Sequence, residues 1–346
     1  MNLFPLACRG RRLRRAPRMR SVQVGDMRVT YVPDGVVGLR PRGWLPETTA
    51  ADWRVHARYL GSDGCLVAGI GGLLVETGGR RMLIDAGVGA VSVPADPANP
   101  LTGALRGGAL LDNLARLGVR PDQLDAIAIT HMHIDHIGWA LHPAFARTRL
   151  RIPAPEWAWW NALTPAQFDE LLDRMAPWAK GKIDLAQILG VLAPRVETVS
   201  DGAQLAPGVT AVLTPGHTAG HTGYTLTSRG RTMRVFGDVL HSPLQIRHPE
   251  WACAADLDPD RGVLQRCRLV DELAETGDLA AGIHFADVVF GTVRRDLDGA
   301  TSWVPAWTRP RVTEEATSIA SPSSPWPGAA LPAKEPSGQQ RPTARG

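Results

Sequence analysis

Thr130-His131-Met132-His133-Ile134-Asp135-His136 packs three histidines and one aspartate into six consecutive residues, 131–136. The run before it, Leu124-Asp125-Ala126-Ile127-Ala128-Ile129, is short, mostly apolar and bounded by polar residues, which predicts a buried strand. The cluster therefore stands where a strand ends. Side chains at i and i+2 of an extended segment point the same way, so His131 and His133 can serve one metal ion together. Asp135 and His136 follow as the chain turns toward a helix, and they can face a second point nearby. Imidazole nitrogen and carboxylate oxygen are the donors that zinc and its first-row neighbours take. The pattern differs from the helical H-E-x-x-H arrangement, which needs i, i+4 spacing on one helix face. A chance cluster at a solvated turn is the plain alternative, and the apolar strand leading into the string argues against it.

Outward from this stretch, the chain predicts alternating strands and helices. Val22, Val24, Met27, Val29 and Tyr31 alternate around Gly25-Asp26, a hairpin pattern, and Gly35 to Glu47 reads as a loop. Residues 48–59 are helix-like, and Cys65–Glu76 with Arg81–Ile84 form a second hairpin about Gly78-Gly79. Leu110, Leu111, Leu114 and Leu117 make one helical face that stops at Gly118. Downstream, 209–214, 224–227 and 232–236 read as strands, and Asp258-Pro259 opens a helix closed by Gly277. Ligands at strand ends and alternating elements argue for an α/β layered fold.

Between them lies an insertion, residues 153–195, rich in helix formers and carrying Trp157, Trp159, Trp160 and Trp178. Phe168, Leu171, Leu172 and Met175 fall at helical spacing. Plain helix packing accounts for most of these residues. The functional reading is a cap whose aromatics line an apolar pocket.

The net charge of +4 comes from the ends: residues 1–20 carry seven Arg and no acid, residues 309–346 add +2, and 21–308 is left at −5. An acidic body is poor material for a nucleic-acid-binding surface. Residues 1–20 are expected to form a disordered basic extension, 21–308 the catalytic domain, and 309–346, dominated by Pro, Ser, Ala and Gly, a disordered tail. Cys8, Cys65, Cys253 and Cys267 are widely spaced with no C-x-x-C, which fits reduced thiols and a cytoplasmic setting. No apolar run is long enough to span a membrane.

Three further motifs complete a resemblance to the metallo-β-lactamase superfamily. Thr214-Pro215-Gly216-His217-Thr218-Ala219-Gly220-His221-Thr222 matches the family's second histidine motif, Val235-Phe236-Gly237-Asp238 ends a strand in its bridging aspartate, and Ala281-Gly282-Ile283-His284-Phe285 supplies its last histidine. The resemblance covers roughly residues 22 to 300. Gly237-Asp238-Val239-Leu240-His241-Ser242-Pro243 is most similar to the methyl parathion hydrolase and N-acyl homoserine lactonase-like branch. It implies a four-layer αββα sandwich with the helical, Trp-rich segment inserted, and two Zn2+ per chain or another first-row divalent metal.

By position, His131, His133 and His217 would hold the first ion, Asp135, His136 and His284 the second, and Asp238 would bridge. A water shared by two such cations becomes a nucleophile at neutral pH. Asp135 is expected to orient it or carry its proton, and His241, on the loop after Asp238, to reach the substrate. Asp85 and His221 are candidates for supporting the ligands from behind, with turn-forming roles as the alternative.

The function so implied is a dinuclear zinc-dependent hydrolase acting through a metal-bridging hydroxide on a small-molecule ester, lactone or phosphotriester. A single-iron oxidoreductase of the persulfide dioxygenase type and a glyoxalase II-like thioester hydrolase are the alternatives. No nucleic-acid or membrane partner is expected, and a homodimer is left open.

Overall fold

The computed structural model describes residues 10–306. Among the described residues, sixteen strands fall into two sheets. The first holds β1 (Arg20–Val24), β2 (Met27–Leu39), β3 (Leu66–Thr77), β4 (Arg80–Ile84), β5 (Ser92–Val93), β6 (Thr102–Arg106), β7 (Ala126–Ala128), β8 (Arg149–Pro153) and β9 (Val196–Val199). The second holds β10 (Gln204–Ala206), β11 (Val209–Leu213), β12 (Thr222–Ser228), β13 (Arg231–Val235), β14 (Leu279–Ala281), β15 (Phe290–Arg295) and β16 (Thr301–Pro305). The first sheet runs β5-β6-β2-β3-β4-β7-β8-β9, with β1 paired to β2, and the second runs in sequence order.

The helices are α1 (Pro41–Trp44), α2 (Ala50–Val55), α3 (Leu110–Arg116), α4 (Ile134–Ile137), α5 (Ala154–Ala162), α6 (Pro165–Met175), α7 (Leu185–Leu192), α8 (Leu244–Arg247) and α9 (Pro259–Thr276). Asp258 caps α9 by accepting from the Arg261 amide, and Gly277 ends it at φ 66°, a left-handed position that glycine adopts without a Cβ penalty.

Neighbouring residues of the central strands go to opposite cores. Leu73, Ile84 and Ala128 join Val209, Tyr224, Leu226 and Val235 between the sheets, while Leu74, Leu83 and Ile127 join α3 and the inserted helices outside the first sheet. Burial on both faces is why these strands are apolar throughout rather than alternating. The far face of the second sheet is covered by Val270 and Leu273 of α9. The expected αββα layering is thus present.

Two expectations need correction. The segment expected to be a loop from Gly35 continues as strand to Leu39, with a register shift between Pro33 and Gly35, and then forms α1. The shift absorbs the Pro-Asp-Gly sequence without ending the strand. The basic extension is also not free over the part described: Arg20 Nη2 lies 3.1 Å from both oxygens of Asp287, Arg18 donates its amide to the same carboxylate at 3.3 Å, and Arg12 approaches to 3.8 Å. Asp287 is 3% exposed, so the arginines gather on a buried charge that needs them. Residues 1–9 and the tail expected over 309–346 lie outside the described residues. Among the described residues, no helix is long and apolar enough to cross a membrane.

Candidate metal centre

All seven expected ligands meet at one edge of the sandwich. The short β7 delivers His131 and His133, whose backbone stays extended (His133 φ −65°, ψ 154°) before α4 begins. Asp135 and His136 stand on α4 itself. His217 lies on the turn between β11 and β12, Asp238 on the turn after β13, and His284 after β14. The donor atoms form two groups, His131–His133–His217–Asp238 and Asp135–His136–His284.

Asp238 faces both groups at once. Its Oδ2 is 3.3 Å from His217 Nε2 and 3.6 Å from His131 Nε2, and its Oδ1 is 3.3 Å from His136 Nε2 and 3.1 Å from His284 Nε2. In the first group, His133 Nδ1 sits 2.9 Å from His131 Nε2 and 3.1 Å from His217 Nε2, so three imidazole nitrogens converge. His136 Nε2 and Asp238 Oδ1 are buried without a hydrogen-bond partner. Converging lone pairs and buried unpartnered donor atoms are the arrangement a cation satisfies and a hydrogen-bond network does not. The residues fit a pair of divalent ions.

Charge points the same way. Burial pushes His131 and His133 well below the ordinary imidazole range. His136 and His284 suffer the same desolvation, but Asp238 and Asp135 overcome it and raise both. Asp135 and Asp238 thus attract positive charge into a buried place.

The second nitrogen of four of the five ligand histidines is occupied where it can set ring orientation, and His133 Nε2 is buried without a hydrogen-bond partner. Thr130 Oγ1 lies 3.0 Å from His131 Nδ1, Asp85 Oδ2 2.9 Å from His136 Nδ1, Asp256 Oδ1 3.0 Å from His217 Nδ1, and the Gly69 carbonyl 2.6 Å from His284 Nδ1. Asp85 also accepts from the Thr130 amide and hydroxyl, and it holds φ 60°, a left-handed backbone that a non-glycine residue keeps only under constraint. His221 is turned to Asp238 rather than His217: its Nε2 accepts the Asp238 amide at 2.9 Å, and its Nδ1 meets Thr214 Oγ1 at 2.8 Å. Asp85 and His221 therefore both stand behind the ligands, as one of their two readings anticipated.

His241 reaches the centre. Its Nε2 is 3.2 Å from Asp238 Oδ2, it is 2% exposed, and burial lowers it to about 4, so the ring is neutral near pH 7. Asp135 is the most open of the seven, with 28% of its side chain exposed. Tyr224 is core, its hydroxyl donating to the Ile129 carbonyl. His142 caps a turn by accepting from the Ala144 amide.

A chamber leads to these residues. Its apolar walls come from β2 and α1 (Val37, Leu39, Trp44) and from the insertion (Trp160, Phe168, Leu172, Met175, Trp178). His133, Asp135, His217, Asp238, His241 and His284 open onto it, and among the described residues no lysine or arginine does. The segment expected to be a cap thus lends side chains to the chamber wall, but only Trp160 of the helical Trp157-Trp159-Trp160 set faces it. Trp157 and Trp159 pack against the core of the first sheet.

Asp256, Gly69, Glu156 and Trp44 were missed by sequence reasoning. Asp256 sits two residues ahead of a helix N-cap and looks like part of it, and a backbone carbonyl leaves no trace in residue type.

The model of the metallo-beta-lactamase superfamily matches residues 73–288. Among solved structures, AidC, a dizinc quorum-quenching lactonase in complex with a product, superposes with TM-score 0.69 at 24% identity, covering 83% of this chain and 97% of that one. The hydrolase AbOPH of the beta-lactamase superfamily gives TM-score 0.68 at 25% identity, covering 84% and 98%. A probable metal-dependent hydrolase from Staphylococcus aureus gives 0.66 at 18%, covering 82% and 99%. No curated protein matches.

Proposed function

The chain belongs to the metallo-β-lactamase superfamily and is a metal-dependent hydrolase, and on that premise we propose a dinuclear zinc enzyme for uncharged esters, lactones or phosphotriesters. The observation that carries the reading is the pairing of two ligand groups with a chamber that no lysine or arginine among the described residues lines. A carboxylate-bearing substrate such as a β-lactam or a glutathione thioester would find no lysine or arginine among the described lining residues to receive its charge, and would have to compete with the attacking water for the metal positions. Neutral esters, lactones and phosphotriesters make no such demand. The lactonase activity named for AidC, a structure similar in fold, agrees with this class.

His131, His133, His217 and Asp238 would hold one ion and Asp135, His136, His284 and Asp238 the other. Such ions supply an activated water at neutral pH and a Lewis acid for the substrate's oxygen. Around them, Asp238 balances both groups and His221 fixes its backbone. Asp135, open to the chamber, is placed to hand a proton to the leaving group. Neutral His241 offers a ring nitrogen to the substrate without adding charge, since its Nδ1 is buried and has no hydrogen-bond partner. Trp160, Phe168 and Met175 exclude water and hold the apolar part of the substrate. A cytoplasmic setting is supported by buried Cys65 and Cys253, which remain thiols.

The test is a screen of zinc-loaded protein against lactones, aryl esters, phosphotriesters, β-lactams and glutathione thioesters, with elemental analysis alongside. Two ions per chain and turnover confined to the neutral substrates are expected. One iron per chain, or a preference for the anionic substrates, would sink the proposal.

A further inference from the structure

Glu156 is wholly buried, stands in the first turn of α5, and lies outside both ligand groups. Four donors converge on its carboxylate. Oε1 accepts the Met132 amide at 2.9 Å and Trp160 Nε1 at 2.8 Å, and Oε2 accepts Thr218 Oγ1 at 2.7 Å and the Gly220 amide at 3.0 Å. Met132 is the residue between His131 and His133, and Thr218 follows His217. One carboxylate thus ties together the loop of the first two histidines, the loop of the third, and the cap tryptophan that lines the chamber.

The contact is close as well as polar. A Cβ at Gly220 would fall 2.0 Å from the Glu156 amide nitrogen, so the His217 loop lies directly against the start of α5 and glycine is required there. Trp160 in turn meets the His133 ring edge-on, with centroids 6.4 Å apart. The second group has no such link: His136 and His284 lean on Asp85 and the Gly69 carbonyl.

We propose that Glu156 is a positioning residue that sets the spacing of His131 and His133 against His217, and so couples the cap to the first metal position alone. The inference rests on the metal reading above. A buried carboxylate with four donors fits this role because each lost bond leaves an unpaired polar group, which makes the three-way junction stiff.

The test uses zinc affinity in two backgrounds that each keep one position. In the His284→Ala protein the remaining ion is at the first position, and in the His217→Ala protein at the second. Glu156→Gln replaces one acceptor oxygen by a donor amide. It should weaken zinc roughly 10–100-fold in the first background, the range for outer-shell partners of metal ligands, and leave the second background unchanged.

Thr218→Val, which removes one donor without touching α5, should weaken the same background by a smaller factor and serves if Glu156→Gln does not fold. In the otherwise intact enzyme at saturating zinc, Glu156→Gln should recover kcat while KM for an apolar ester stays raised, because Trp160 has lost its anchor.

Equal weakening in both backgrounds, or unchanged affinity with only a lower melting temperature, assigns Glu156 to packing and overturns the inference. Failure of the unsubstituted protein to bind zinc would overturn the metal reading and the inference with it.

Discussion

The two ligand groups share Asp238 but are held by different parts of the molecule. His131, His133 and His217 lean on the cap through Glu156 and on α9 through Asp256, whose other oxygen takes Arg266 at 3.2 Å. His136 and His284 lean on the first sheet through Asp85 and Gly69, and the buried Asp287, which gathers the N-terminal arginines, stands three residues after His284. In the first group burial pushes His131 and His133 below the ordinary imidazole range, while at His136 and His284 the charges of Asp238 and Asp135 win over desolvation. The difference teaches that one centre can be adjusted from two sides. Changes in the cap should reach one position, and changes near the N-terminus the other.

The strongest challenge to this division is the residue that spans it. Asp238→Ala removes the carboxylate from both groups, so elemental analysis should find neither position filled. Hydrolysis should fall by more than the roughly 100-fold that an outer-shell change costs. Retention of one full equivalent of zinc would show that Asp238 belongs to a single group.

Next comes the N-terminal side. Removing residues 1–20 leaves Asp287, 3% exposed, without Arg12, Arg18 and Arg20. Breaking a buried ion pair by deleting one partner costs roughly 3–5 kcal/mol. Denaturant unfolding should show a loss of that order, and Asp287→Asn in the shortened chain should restore part of it. Unchanged stability would mean that the arginines merely decorate the carboxylate.

Smaller, but a sharper separation, is a pair of outer-shell changes. Asp256→Asn should weaken zinc at the first position alone, and Asp85→Asn chiefly at the second with a smaller loss at the first through the Thr130 link to His131, the main effect in each case being roughly 10–100-fold, read by chelator competition. If either substitution weakens both ions equally, the two supports are not independent.

How much of this was open to sequence reading follows from distance along the chain. H-x-H-x-D-H was legible because its donors sit at local spacing on one strand end, and the later ligands each close an apolar run. Their supports were not. Asp256 is 39 residues from His217, the Gly69 carbonyl is 215 from His284, and Glu156 is 24 and 64 residues from the amides it accepts. No local pattern announces such partners. The N-terminal arginines looked like a solvated run because Asp287, which buries with them, lies 267 residues from Arg20. The central strands were found from their apolar runs, whereas β15 and β16 went unread. β15 ends in two exposed arginines, and β16 is only half-buried, so neither carries a clear period.

The smallest effect concerns the cap alone. Trp157, Trp159 and Trp160 follow one another on α5, yet a helix turns them to different sides, and only Trp160 meets the chamber. Its indole is fixed by Glu156 and by edge contacts with Trp159 and Phe168, so it presents a rigid apolar wall beside His133. Trp160→Leu shrinks that wall and leaves the metal ligands intact. KM for an apolar ester should rise about tenfold, the scale of a few lost methylene contacts in a pocket, with less change for a small polar ester. Trp157→Leu should lower stability and leave the ratio of the two KM values where it was. If both substitutions shift that ratio alike, substrate preference is set by the packing of the whole cap rather than by the face of α5 that looks onto the metals.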